Sequence, residues 1–280
     1  MSSSPTGASN SSSQYSAELA FALTLADRAD AISLSRYHAL DLEITTKPDN
    51  SPVTDADKAV ERAIIDAIAA QYPTDGVVGE EFGTSGSKDR YWVIDPIDGT
   101  KNFMRGVPSW STLIALIERN DDGTEQIIVG VVSAPALFRR WHAASGLGAY
   151  VSLNKSAPKK IHVSGISTIA DASVTYSDLN NWGEYLPKVQ ALLSSANRTR
   201  GFGDFWSHML VAEGAAEIAL EIGVALWDMA AISIIVTEAG GRFSSIDGVD
   251  GPGHGSGLST NCIFSVITKL ASMSALLSSS

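Results

Sequence analysis

The chain has 280 residues, 44% of them hydrophobic and 18% charged, and a formal net charge of −11. This composition excludes a disordered chain and fits one large domain or two small, tightly joined ones. The balance of 20 Lys and Arg against 31 Asp and Glu argues against a basic face for nucleic acid, and the apolar stretches are broken well short of a membrane span.

Residues 1–14 are rich in Ser, Gly and Asn and lack the basic start and apolar core of a secretory signal, so a disordered leader is expected. Over 15–40, Leu19, Ala22, Leu23, Ala26, Ala29, Ile32 and Ala39 recur at helical spacing and predict a long helix. Two prolines and two turn formers exclude helix at 45–52 and predict a loop. A second helix is expected at 55–72, with Thr54 as N-cap and Asp55 and Asp57 in its first turn. Pro73 to Gly76 stop it.

A strand-rich stretch follows. Residues 91–94 form a short apolar run that ends on an acid. Strands at 111–119 and 127–134, joined by a turn at 120–123, continue into strands at 139–144 and 148–153. The first half therefore reads as two helices against a largely antiparallel sheet. Beyond 160 the elements alternate: strand 174–177, helix 182–195, strand 198–202, helix 205–214, strand 218–220, then helix 225–239 closed by Gly240-Gly241. A strand at 264–267 and a helix at 271–277 end the chain. The fold class expected is a layered α/β (α+β) arrangement. An α+β half at 15–160 and an α/β half at 161–280 form one compact unit around one cleft. Its one cysteine, Cys262, allows no intramolecular disulfide and suits a reducing, cytoplasmic compartment.

Four acidic pieces stand at the edges of apolar elements: Asp55/Asp57, Glu80/Glu81, Asp95/Asp98 and Asp228. Asp95 and Asp98 flank Pro96, which fixes φ and donates no hydrogen bond, and precede Gly99, which permits close approach of another group. Two carboxylates on such a turn can converge, with the Ile97 carbonyl beside them, and hard oxygen ligands of this kind suit Mg²⁺. The same segment also reads as an ordinary acidic turn, since Asp-Pro and Asp-Gly are common turn dipeptides. Glu80 and Glu81 repel each other unless a cation or solvent offsets the charge. Asp228 is the odd residue in an apolar helix, where it serves either as a metal ligand or as a cap.

Taken together these pieces resemble the inositol monophosphatase-like family of metal-dependent phosphatases. The resemblance rests on residues 92–103 (WVIDPIDGTKNF), on 226–231 (LWDMAA) with 238–241 (EAGG), on Gly79-Glu80-Glu81, and on 51–57 (SPVTDAD), in that family's order and over roughly 15–270. It implies an αβαβα layered sandwich of the inositol monophosphatase/fructose-1,6-bisphosphatase type, and two or three Mg²⁺ per active site. Glu80, Asp95 and the Ile97 carbonyl would hold one; Asp95, Asp98 and Asp228 would hold a second. Thr100 with Glu80 would orient the attacking water, and Asp57 would support that water or a further metal. Gly99 and Thr100 would offer amides to the phosphate. A homodimer is implied in the same way.

Where inositol phosphatases carry a small-residue run after a glycine, this chain has Arg200-Gly201-Phe202-Gly203-Asp204-Phe205-Trp206. That segment, with 210–214 (LVAEG), looks like the histidinol-phosphate phosphatase branch. The branch implies a phosphorylated amino alcohol as substrate, with Asp204 pairing its ammonium. Phe205 or Trp206 would offer an aromatic face or pack in the core, and Glu221 would touch the substrate body. Arg200 would be either a substrate ligand or an ion-pair partner, and His208 reads as a packed histidine. The alternative substrates on the same scaffold are inositol 1-phosphate and other sugar or polyol phosphates.

Overall fold

The computed structural model describes residues 14–48 and 50–262; the elements expected at 264–277 and most of the leader lie outside them. Helix α1 (Ser16–Arg36) opens the chain, and a hairpin of β1 (Ile44–Thr46) and β2 (Pro52–Thr54) follows. That hairpin stands where a loop was expected. Pro52 pairs with Thr46 in a two-stranded ribbon that is all edge, so its missing amide is tolerated. Helix α2 (Asp55–Gln71) begins as the sequence indicates. The Thr54 side chain accepts from the amides of Ala56 and Asp57, and Asp57 Oδ2 accepts from the Thr54 amide at 2.8 Å.

Next come β3 (Gly76–Gly79), β4 (Gly83–Ser85), β5 (Arg90–Asp98), the short helix α3 (Thr100–Met104), β6 (Ser111–Arg119) and β7 (Glu125–Ala134). Strands β8 (Arg139–Ala144), β9 (Gly148–Leu153) and β10 (Lys159–Lys160) complete a sheet of order β10-β9-β8-β7-β6-β5-β3-β4. Every pair in it is antiparallel except β3 with β5. The rest of the chain supplies β11 (Ser173–Tyr176), α4 (Leu186–Ser195), β12 (Arg198–Gly201), α5 (Asp204–Ala212), β13 (Ile218–Ile222), α6 (Leu226–Glu238), β14 (Arg242–Ser244) and β15 (Ser256–Thr260). These strands form a second sheet, β12-β11-β13-β15-β14, parallel across its first three strands. The helix expected at 182–195 divides into a 3₁₀ turn, Gly183–Tyr185, and α4. Pro187 lies in the first turn of α4, where a missing amide does no harm.

Alternation along the strands sets the layers. Trp92, Ile94, Ile114 and Leu116 face α1 and α2. Tyr91, Val93, Leu113, Ala115 and Ile117 face the opposite side, against α5 and α6. Helix α6 is apolar all round, and its residues Met229 to Val236 are buried, as such a helix must be. It packs on β5 to β9 of the large sheet and on β14 and β15 of the small one. Helix α4 covers the far face of the small sheet through Val189 and Leu192. The order of layers is αβαβα, and α6 completes the cores of both sheets.

Candidate active site

The turn expected at Asp95–Asp98 is instead the end of a strand, because β5 runs through Asp98. Side chains three apart on a regular strand point to opposite faces. Here Asp95 pairs with Leu113 while Asp98 pairs with Ser111, so β5 spends one residue more than β6. This bulge restores parity and turns both carboxylates the same way. Thr112 fixes it by donating to the Pro96 carbonyl at 2.8 Å. Helix α6 delivers Asp228 to the same point. One oxygen from each of Asp95, Asp98 and Asp228 lies within 4.8 Å of the others. Asp228 also caps its helix, accepting from the Ala225 amide at 2.6 Å, so the capping role read from sequence is present and leaves the side chain beside Asp95 and Asp98.

Burial is the main cause that raises the proton affinity of these groups. Asp95 is held well above the usual carboxylate range by burial, then by the charges of Glu80, Asp98 and Asp228. Asp98 is raised well above it too, by burial and then by Asp204, Glu221 and Asp228. Asp228 is pushed up to about 7 by burial, against the Ala225 amide, with Glu80 and Glu221 adding to the rise. Asp95 Oδ1 is buried without a hydrogen-bond partner. Such a group of like charges calls for a counter-charge, and its all-oxygen donor set fits a hard divalent cation.

Glu80 follows β3 and reaches the rim of this group. Lys47, on the hairpin loop, pairs with Glu80 Oε1 at 2.7 Å and Glu81 Oε1 at 2.6 Å. Burial works against the Lys47 charge, but the two glutamates outweigh it and raise its pKa. The Thr100 hydroxyl stands 3.0 Å from the Ile97 carbonyl and 3.3 Å from Asp57 Oδ1, and its single proton serves one of them at a time. Asp57 is fully buried and pushed up to about 6, by burial and against its bonds to Thr54.

Gly99 has φ +82° and separates β5 from α3. A Cβ there would meet the Ser109 carbonyl at 3.0 Å and Asp204 Oδ2 at 3.1 Å, so only glycine lets Asp204 approach. Asp204 accepts from Asn102 Nδ2 at 3.2 Å, and its amide donates to Ser177 Oγ at 3.0 Å. The next amide, of Phe205, donates to Asp98 Oδ2 at 2.9 Å and ties α5 to the acidic group. Burial, then Glu221 and Asp228, push Asp204 up to about 7. Phe205 is fully buried in the core between the sheets, and Trp206 packs against that core and the Phe202 ring.

Arg200 is not brought into this group. It is exposed on edge strand β12, and its guanidinium donates to the Thr199 carbonyl at 2.7 Å. Two residues outside the sequence reading do belong. One is Lys47. The other is Glu61, buried on α2, whose carboxylate accepts the amides of Glu81 and Phe82 at 2.8 and 2.9 Å and shapes the Glu80 loop. The signal was present: Asp57 and Glu61 stand one turn apart among Val60, Ile64 and Ile68, acids in an otherwise apolar stripe. A Cβ on Gly79 would lie 2.0 Å from Glu61 Oε1. Gly79→Ala is therefore expected to destabilise the protein by about 1–3 kcal/mol and to lower activity with it. An unchanged denaturant midpoint would remove Glu61 from this role.

A family model described as the inositol monophosphatase family matches residues 14–272. The histidinol-phosphatase of Mycobacterium tuberculosis is 50% identical over 258 residues, which are 90% of this chain and 97% of that protein. The histidinol-phosphatase of Streptomyces coelicolor is 49% identical over 249 residues, 88% of this chain and 93% of that one. Among solved structures, the extragenic suppressor protein suhB from Bartonella henselae superposes with a TM-score of 0.81 at 25% identity, covering 91% of this chain and 98% of its own. The IMPase of Thermotoga maritima does so with a TM-score of 0.79 at 26% identity, covering 92% and 98%.

Proposed function

Since the chain belongs to the inositol monophosphatase family, we propose that it hydrolyses L-histidinol phosphate to L-histidinol and phosphate, with Mg²⁺, in histidine biosynthesis. The chain is a phosphoric monoester hydrolase. The observation that carries the substrate is the identity of about half with two histidinol-phosphatases over nearly their whole length. The acidic pair Asp204 and Glu221 supports it, because this substrate carries an ammonium and an imidazole beside its phosphate.

Glu80, Asp95 and the Ile97 carbonyl would hold one Mg²⁺, and Asp95, Asp98 and Asp228 a second; Asp57 would support the attacking water or a third. Bound Mg²⁺ supplies the positive charge that admits a phosphate dianion to an acidic cleft and stabilises charge on the leaving oxygen. The protein's own groups place the reactants. Lys47 holds the Glu80 carboxylate at the rim, where it can accept a proton from the attacking water. The Thr100 hydroxyl gives its proton to Asp57 or to the Ile97 carbonyl and so presents a lone pair to that water. The amides of Gly99 and Thr100, ahead of the first helical hydrogen bonds of α3, would donate to the phosphate oxygens. Asp204 and Glu221 receive the ammonium. The reading carries with it a cytoplasmic homodimer with no nucleic acid or membrane partner. Among the described residues no helix is long and apolar enough to cross a membrane.

Phosphate release with Mg²⁺, from histidinol phosphate and from inositol 1-phosphate, tests the substrate. Histidinol phosphate should be preferred by about a hundredfold or more in kcat/KM, since buried carboxylates left without their cation penalise a neutral polyol. Preference for inositol 1-phosphate would overturn the reading.

A further inference from the structure

His208 is wholly buried at the middle of α5, one turn after Asp204 on the same helix face. It lies against the face of the small sheet that looks into the cleft. Ala219 pairs with Ser259 and Glu221 pairs with Gly257, so these four residues share one face. The ring packs over Gly257, where a Cβ would be in ordinary contact with His208 Cε1 at 3.4 Å and too close to Met229 Sδ at 2.8 Å. The Phe243 ring stands 6.0 Å away.

The two ring nitrogens have different partners. Nδ1 lies 2.7 Å from Ser259 Oγ. Nε2 lies 3.4 Å from Glu221 Oε2, too poorly aligned for a hydrogen bond, and both atoms are buried without any other partner. Two buried polar atoms of opposite character facing each other at this distance are a contact waiting for a small closing shift. A proton on Nδ1 alone would set the bare Nε2 lone pair against the Glu221 carboxylate, so the proton is assigned to Nε2, with Nδ1 accepting from the Ser259 hydroxyl; in that tautomer, as in the cation, the Nε2–H has Glu221 Oε2 as its nearest acceptor. The Glu221 side chain keeps only 12% of its surface, and its charge acts on Asp98, Asp204 and Asp228.

We propose that His208 is a positioning residue for substrate selection: with Ser259 behind it, its Nε2–H holds one oxygen of Glu221 and turns the other toward the substrate ammonium. This rests on the substrate reading above. It gives a fully buried histidine, which touches neither phosphate nor the acidic triad, a part in choosing an amino alcohol over a neutral one.

The test uses two variants that differ in which end of the ring they imitate. In His208→Asn the amide overlays Nδ1 and keeps the Ser259 contact while losing Glu221. In His208→Gln the amide reaches the Nε2 position and keeps Glu221. Histidinol phosphate is compared with glycerol 2-phosphate, which has no cationic group. H208N should raise KM for histidinol phosphate about tenfold with kcat within about twofold, and leave glycerol 2-phosphate turnover unchanged. H208Q should bring KM back to within about threefold of wild type. Thermal melts of both variants report folding. Equal KM values for the two variants, or equal losses on both substrates, would overturn the role of His208 while leaving the substrate reading intact. A wild-type enzyme that turns over both substrates equally well would overturn the substrate reading and this inference together.

Discussion

Asp228→Asn is expected to lower kcat/KM by at least about a thousandfold and, at pH 8 without divalent cation, to make the protein more stable. The two effects share one cause. Asp228 sits among Asp95, Asp98 and the fields of Glu80 and Glu221, and is pushed up to about 7. Ionising it in the fold is therefore unfavourable unless a cation is bound. Relative to an unfolded aspartate near 3.9, that shift corresponds to roughly 4 kcal/mol at pH 8. Partial exposure to the cleft and the sharing of charge among neighbours reduce this to about 1–3 kcal/mol for one substitution. Asparagine keeps the oxygen that accepts the Ala225 amide, so the cap survives. Urea unfolding in EDTA and phosphate release in Mg²⁺ measure the two sides. A variant that keeps half of the wild-type rate at saturating Mg²⁺ would overturn the proposed role of Asp228 as a metal ligand.

In metal-free protein, stability should fall as pH rises from about 5 to 8, and Mg²⁺ should return more stability the higher the pH. A carboxyl with a raised folded-state pKa contributes its full stabilisation below the unfolded value, near 3.9. The contribution is lost as pH rises through the folded value, which is about 6 for Asp57 and about 7 for Asp204 and Asp228. His142 acts at the other end. Burial, then Arg140, lower it to about 4. Below its unfolded pKa of about 6.5 the unfolded chain takes up a proton that the fold refuses, which cancels part of the stability the carboxyls gain as pH falls. One such proton offsets only one of the three carboxyls, so the metal-free optimum should lie near pH 4–5, with about 2–4 kcal/mol lost by pH 8. Melting curves from pH 5 to 8.5, in EDTA and in Mg²⁺, measure this. Metal-free stability that holds level or climbs between pH 6 and 8 would refute the buried, mutually repelling carboxylates.

Local signals were legible where local physics decides. The Thr54 cap, the ends of β6, β8 and β9, and the closure of α6 are set by residues within a few positions of each other. The small sheet was harder. Ser256-Gly257-Leu258-Ser259-Thr260 is polar and glycine-bearing, yet every residue of β15 is buried. Its environment comes from β13, β14 and α6, and no short window contains them. For the site, the residue types were readable and the geometry was not. Asp95 and Asp98 are named by their chemistry, but their convergence depends on a pairing count against β6. Lys47 lies 33 residues from Glu80, so a loop lysine gave no sign of the partner it meets. Arg200 lies next to a glycine-rich segment that does reach the site, but its own strand is at the sheet edge.

Helix α6 has a consequence for the order in which the chain is made. Synthesis delivers the large sheet, from β3 to β10, before residue 161, but the apolar helix that seals its second face spans Leu226–Glu238. Until that helix has left the ribosome, Tyr91, Val93, Leu113 and Trp141 lack the cover they have in the finished fold. Domains tend to fold as units during translation, and uncovered sheet faces invite aggregation. Because α6 also carries Asp228, the step that seals the core is the step that completes the acidic triad. A nascent chain stalled before α6 would be both sticky and inert.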